Sequence, residues 1–293
     1  MKIFVTGASG FVGSAVVRDL IDNGHDVLGL ARSDASADAL AAAGAGVHRG
    51  DLNDPESLRA GADASDGVIH LAFHHDFDNF ADAGELDRRA IEVLGTTLAG
   101  SDRPLVVTSG MAGQPPGRAL TENDEFRPGL PRLSEPAALA FADKGVRASI
   151  VRLSPTTHGE GDHGFVPRLI QIAREKGVAA YIGDGANRWP AVHRLDAAPL
   201  FRLAVEQAPT GTVLHAVAEE GVAGRDIATA IGRHLDLPVT SVPVEQAFDH
   251  FGWIGGMFAL DIPASSALTR ERFGWEPTGP VLLDDLAQGH YFA

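Results

Sequence analysis

The sequence predicts an α/β fold, a doubly wound parallel sheet followed by a small C-terminal lobe. Three observations predict it. The first half alternates short apolar runs with helix-length amphipathic patterns, a glycine-rich turn stands where the first such run meets the first helical pattern, and the rhythm breaks after Leu153. Strand–helix alternation with crossovers of that length implies parallel strands.

Taken in order, strands are expected at residues 2–6, 27–31, 47–49, 68–72, 104–108 and 148–153. Helices are expected between them at 11–23, 35–43, 55–60, 85–99 and 134–144, the first ending before Gly24 as a glycine-terminated helix does. Beyond Leu153 a loop rich in Gly and His runs from 156 to 164, a helix covers 165–176, and a Gly-rich polar loop covers 183–189. Residues 195–207, 225–235 and 265–273 read as helices, with short strands at 213–217 and 239–242. The domain division expected is a core at 1–154 and a substrate-side lobe at 155–293 that sends segments back to the core.

Composition removes several functions. With 24 Lys plus Arg against 39 Asp plus Glu among 293 residues the formal net charge is −15, which argues against binding nucleic acid or an anionic membrane surface. The 44% hydrophobic and 22% charged content is that of an ordinary globular chain. Without cysteine there are no disulfides, zinc–thiolate sites, iron–sulfur clusters or thiol nucleophiles. No window reaches the ~20 apolar residues of a membrane span, and the expectation is a cytoplasmic protein.

The sharpest motif is Val5-Thr6-Gly7-Ala8-Ser9-Gly10-Phe11-Val12-Gly13. Gly7 permits the tight turn, Gly10 lets the backbone approach a pyrophosphate, and Gly13 allows close helix packing, while the helix N-terminus offers unpaired N–H groups. Its strand–turn–helix setting points to a dinucleotide. At the end of the second strand an acid would accept from a ribose 2′-OH, but the position is Ala31, followed by Arg32 and Ser33. A guanidinium there fits a 2′-phosphate, so NADP is expected over NAD; the competing reading has Asp34 taking the ribose. Asp51 and Leu52 could hold the adenine, with Asp54 before Pro55 the better helix cap. Leu71 and Ala72, at the end of the fourth strand, would let the backbone pass close to the cofactor.

On these residues the chain resembles the short-chain dehydrogenase/reductase superfamily, in particular its extended, epimerase/dehydratase-like branch. The resemblance extends through His70-Leu71-Ala72, Val151-Arg152-Leu153, Gly183-Asp184-Gly185, His193 with Asp196, and Phe273-Gly274-Trp275-Glu276-Pro277. It implies a Rossmann sheet carrying NAD(P), with Thr108, Pro155 and Thr156 also lining the cofactor, a lobe closing over a small-molecule substrate, and a possible homodimer through the helices after strands four and five. It also implies that Arg188 reaches a phosphate and that His193 supports the fold near Asp196.

The chain departs from that family where its chemistry resides. The usual Ser/Thr matches Gly110, and the Tyr-xxx-Lys pair matches Pro131 and Glu135; neither Tyr181 nor Tyr291 has a lysine four residues later. Replacement acid/base groups are His74 and His75, with Asp76 to orient them, and His158 and His163 in the later loop. Ser109 or Arg132 could hydrogen-bond a substrate carbonyl, although arginine hardly releases a proton. Trp189 reads as pocket wall or core, and Phe73, Phe77 and Phe80 as core. No metal is expected, since the flexible spacing lacks the fixed geometry of a helical His pair.

The activity expected is hydride transfer, preferring NADP, to or from a small carbonyl, imine or activated alkene. The alternatives are a non-catalytic NADP sensor and a sugar-type epimerase or dehydratase.

Overall fold

The computed structural model describes residues 1–75, 79–111, 118–126 and 132–293. Its first part runs β1 (Lys2–Thr6), α1 (Phe11–Asp22), β2 (Asp26–Ala31), α2 (Asp34–Ala42), β3 (Gly46–Arg49), α3 (Pro55–Asp63), β4 (Gly67–His70), α4 (Phe80–Leu98), β5 (Pro104–Gly110), α5 (Ser134–Leu139) and β6 (Arg147–Leu153). The remainder runs β7 (Thr156–His158), α6 (Phe165–Lys176), β8 (Ala179–Ile182), β9 (Arg188–His193), α7 (Arg194–Gln207), β10 (Thr212–Ala216), β11 (Glu219–Ala223), α8 (Gly224–Leu235) and β12 (Val239–Val242). Four short helices follow: α9 (Ala247–Phe251), α10 (Ile254–Phe258), α11 (Ala267–Phe273) and α12 (Leu282–Ala287).

The main sheet has seven strands in the order β10-β6-β5-β4-β1-β2-β3, every neighbouring pair parallel. Being covered on both faces, its strands are continuous apolar runs: β4 and the first six residues of β5 are buried throughout. One face packs Val5, Ile69, Val106 and Val151 against α1, α2 and α7; the other packs Phe4, Val68, Leu105 and Ile150 against α3, α4 and α5. The strand order reverses between β1 and β4, and the carboxyl ends of those two strands, Thr6 beside His70, border the crevice where open sheets bind ligands.

The six expected strands are present with shifts of a residue or two. The segment expected as a short lobe strand, β10, instead completes the main sheet beside β6, with Leu214 opposite Val151. The helix expected at 134–144 stops at Leu139 and resumes as one 3₁₀ turn, Ala142–Lys144. Only one of the two long helices behind the dimer expectation is therefore long, the 19-residue α4.

The lobe has its own core. A three-stranded sheet, β11-β9-β7, and a parallel pair, β12-β8, gather Val166, Ile170, Trp189, Ile227 and Phe258 with α6, α8 and α10. Trp189 is core rather than pocket wall, packed edge-on against Phe258. Asp196 accepts the amides of Thr278 and Gly279 while its carbonyl takes the Trp275 indole N–H, so the two distant sequence segments meet. Among the described residues no helix is long and apolar enough to cross a membrane.

Candidate active site at the crevice between β1 and β4

Gly7 adopts φ +68°, and a Cβ there would stand 2.7 Å from the Ala72 amide nitrogen, so the ends of β1 and β4 meet backbone to backbone. Gly13 is tighter: its Cβ would lie 2.0 Å from the Gly7 carbonyl oxygen. The third glycine thus lets the helix close onto the loop itself. Gly10 is the N-cap of α1 with no side-chain cap, and its amide donates to Gly7 at 2.9 Å. The first-turn N–H groups of Phe11, Val12 and Gly13 are left without a capping side chain, with Ser9 and Gly10 exposed beside them. These residues fit a pyrophosphate: no side chain stands on the exposed Gly10, and the uncapped helix end favours an anion.

At the end of β2, Arg32 is 75% exposed and 3.9 Å from Asp51. Ser33 caps α2 by accepting the Ser36 amide at 3.2 Å. Asp34, the competing ribose ligand, is paired with Arg49 of β3 at 2.5 Å. Asp51 accepts both the backbone amide and the side-chain amide of Asn53 at 2.8 Å, and Asp54 is the cap of α3. The Asn53 amide, and further out Arg32 and His74, hold the Asp51 carboxyl below the usual range against the opposing effect of burial. Leu52 packs on the core under α3.

A buried polar chain runs beneath the crevice. The Thr6 hydroxyl meets His70 Nδ1 at 2.8 Å, His70 Nε2 meets Asp87 Oδ1 at 3.1 Å, and Asp87 Oδ2 accepts the Ser134 hydroxyl at 2.6 Å. Ser134 in turn accepts Arg132 Nε at 2.8 Å, and Arg132 Nη2 donates to the Thr108 carbonyl at 2.8 Å. The Arg132 guanidinium lies 4.1 Å over the Phe73 ring. Burial alone would raise Asp87; the His70 hydrogen bond and charge, Arg132 and Ser134 outweigh it and hold the carboxyl down.

The His74 charge bears on Asp51, and the charges of Arg132, His163 and His74 bear on His75. Desolvation first, then the charges of Arg132 and His163, push the His75 imidazole down. His163 is exposed, its ring centroid 5.9 Å from that of Phe11 in an edge-on arrangement, and Arg194 lies 5.1 Å from the Phe11 ring while donating to the Phe11 carbonyl.

Several expected groups are placed elsewhere. His158 is fully buried, its Nδ1 2.8 Å from Asp285 and its ring against His193, so an acid/base role facing the crevice is corrected to a core position in the lobe. Thr156 spends its hydroxyl on the Pro190 carbonyl inside the lobe, and Pro155 is partly exposed at the same link. Arg188, expected on a phosphate, is bound in a fork to Asp261 at 2.9 and 3.0 Å beside a groove lined by Gly185, Glu219 and Arg225. Phe73, expected as core, is partly exposed under Arg132. Ser109 is 5% exposed, and among the described residues its side chain makes one hydrogen bond, to its neighbour's carbonyl, long at 3.4 Å. The Thr108 hydroxyl is buried without a partner. Gly110 is exposed, and no described residue lies within 4 Å of where a Cβ would be. Glu135 is neutralised by Arg152 through two hydrogen bonds at 2.9 and 2.8 Å. Asp76, Phe77 and Pro131 lie outside the described residues.

Sequence reasoning missed Asp87, Ser134 and Tyr291. Asp87 carried a signal: it falls on the buried stripe Ala83, Asp87, Ala90, Ile91, Leu94 of α4, and a carboxylate there demands partners.

The NAD dependent epimerase/dehydratase family model matches residues 3–216. An uncharacterized protein of Schizosaccharomyces pombe is 52% identical over the whole of both chains. A 2-alkyl-3-oxoalkanoate reductase of Stenotrophomonas maltophilia is 30% identical over 72% of this chain and 67% of its own. The crystal structure of a dTDP-glucose 4,6-dehydratase from Streptomyces venezuelae with NAD bound superposes with a TM-score of 0.80 at 20% identity, covering 99% of this chain and 96% of that one.

Proposed function

The chain belongs to the NAD dependent epimerase/dehydratase family and is an NAD(P)-dependent enzyme of oxidoreductase type; from that premise we propose that it is an NADP-preferring reductase or dehydrogenase of a small carbonyl, imine or activated alkene. The observation that carries the NADP preference is the end of β2: Arg32 is exposed, while Asp34 is bound to Arg49. A cation with open donors favours a 2′-phosphate, and a carboxylate already paired is a poor ribose acceptor.

Gly7, Ser9, Gly10, Phe11, Val12 and Gly13 would hold the pyrophosphate, Arg32 and Ser33 the 2′-phosphate, and Asp51 and Leu52 the adenine. Leu71, Ala72 and Thr108 line the path toward β5. When bound, the nicotinamide supplies hydride chemistry. The Ser109 hydroxyl, held among the described residues by one long bond, donates to the substrate oxygen. His75, His163 or water delivers the proton that oxygen gains on reduction. Desolvation and the neighbouring charges lower the His75 pKa, which makes proton release easier and leaves fewer of these imidazoles charged near neutral pH. Residues 1–154 then serve as the cofactor half and 155–293 as the substrate half in a cytoplasmic enzyme.

The test is a titration of purified protein with NADPH and NADH, following nicotinamide fluorescence. Tighter NADPH binding supports the reading. Equal binding of the two overturns the preference, and binding of neither overturns the reading itself.

A further inference from the structure

Arg132 has a geometry that none of the cofactor contacts proposed above calls on. Its Nε donates to Ser134 and its Nη2 to the Thr108 carbonyl, so both donors along one side of the guanidinium plane are engaged. Phe73 covers a face of the plane at 4.1 Å. Among the described residues the end-on pair of N–H groups, one on Nη1 and one on Nη2, is left open: Nη1 makes no hydrogen bond to them, and the side chain is 20% exposed. The counter-charge comes from behind, because Asp87 Oδ2 is 4.0 Å from Nε and already accepts from Ser134, while Oδ1 is turned to His70. A guanidinium stacked, hydrogen-bonded on one edge and backed by a buried carboxylate is fixed in orientation before any ligand arrives. The edge it presents matches the two oxygens of a carboxylate.

Its place in the sheet gives that edge a meaning. Arg132 is fastened to the end of β5, two strands from β1 on the side away from β2 and Arg32. The adenosine end of a dinucleotide belongs at β2, so Arg132 stands at the reacting end of the crevice.

We propose that Arg132 is the anchor for a carboxylate on the substrate, and that the substrate class is a small oxo acid or the corresponding hydroxy acid. This rests on the oxidoreductase reading above and narrows it. Arg132 binds and orients, and the Thr6–His70–Asp87–Ser134 chain positions it. Lysine would not replace it, since an ammonium cannot meet two oxygens from a fixed plane.

Unreactive stand-ins separate this from turnover. Calorimetry of the NADPH-loaded protein with oxamate against oxamide, and with malonamate against malonamide, compares acids with neutral twins of nearly the same shape. The expected result is an acid bound at least tenfold tighter than its twin, with the advantage lost in Arg132→Ala and reduced in Arg132→Lys. Equal binding within both pairs, no binding of either acid, or an acid preference that survives Arg132→Ala overturns the proposal. Should Arg132→Ala not fold, Arg132→Lys decides: an undiminished preference there is equally fatal. NADPH binding is titrated separately, so failure of the oxidoreductase reading shows as absent NADPH binding. The acid titration of the cofactor-free protein then still decides the role of Arg132.

Discussion

The hydroxyl of Tyr291 donates to Asp162 Oδ2 at 2.9 Å and accepts the amide of Gly159 at 3.0 Å, fastening the end of the chain to the loop that carries His163. Burial raises the Asp162 pKa and outweighs the hydrogen bonds from Gly164 and Tyr291 that oppose it. A carboxyl whose folded pKa lies above its unfolded value favours folding most at low pH, and loses that contribution as pH rises from the unfolded toward the folded pKa. Asp162→Asn, which keeps an acceptor and removes the charge, is expected to raise the melting temperature at pH 7 and to change it less at pH 4. Thermal melts at the two pH values check this, and an equal shift at both would count against it.

Arg32→Ala is expected to weaken NADPH binding about tenfold or more, the scale of one charged hydrogen bond, while leaving NADH binding unchanged. If both nucleotides lose affinity together, Arg32 supports the fold of the β2–α2 turn and does not select the cofactor.

Two glycines should respond oppositely. Gly13→Ala places a methyl 2.0 Å from the Gly7 carbonyl oxygen, where only backbone could yield. NADPH affinity is expected to fall at least about tenfold, by analogy with the loss of one strong contact. Gly110→Ser enters space that no described residue occupies and should alter stability by no more than about 0.5 kcal/mol. Melting curves with paired NADPH titrations test both, and a Gly13→Ala protein with full affinity would remove the steric argument.

Three buried histidines set an acid limit. Burial holds His158, His193 and His215 below their ordinary pKa, so each contributes stability above about 6.5, the unfolded value, that is lost as pH falls below it. The melting temperature should drop between pH 7.5 and 5.5, and His158→Gln should show a shallower drop whatever its absolute stability. A slope identical to that of the parent chain would refute the assignment to His158.

Asp87→Ala leaves His70 and Arg132 without their shared buried carboxylate and is expected to cost about 3–5 kcal/mol, as removal of one partner from a buried pair does. Denaturant unfolding measures it. A loss below about 1 kcal/mol, the scale of an exposed pair, would mean that water replaces the carboxylate.

The cofactor side of the crevice was legible in the sequence because each of its constraints is local. Gly7 and Gly13 are required by contacts within the loop or one strand away, and Asp54-Pro55 announces its own cap. The lobe was less legible for physical reasons. Strand β9 carries Pro190, which as a non-donor argues against a strand; it is tolerated, and its carbonyl takes the Thr156 hydroxyl. Hydropathy showed that residues near 213–217 form a strand but could not name its partner, since pairing with β6 is a long-range choice. Arg132 read as a weak candidate because its value comes from Phe73, Ser134 and Asp87, which converge only in the fold.

The last strand of the main sheet has a practical consequence for anyone dividing this molecule. A fragment ending at Leu153 would leave β6 as a bare edge with its row of amides and carbonyls unpaired, and would strip Arg152 of the His215 imidazole it meets at 3.3 Å. Such a piece invites edge-to-edge aggregation, so expression trials, crystallisation designs and split-reporter fusions should carry the chain at least through Ala216.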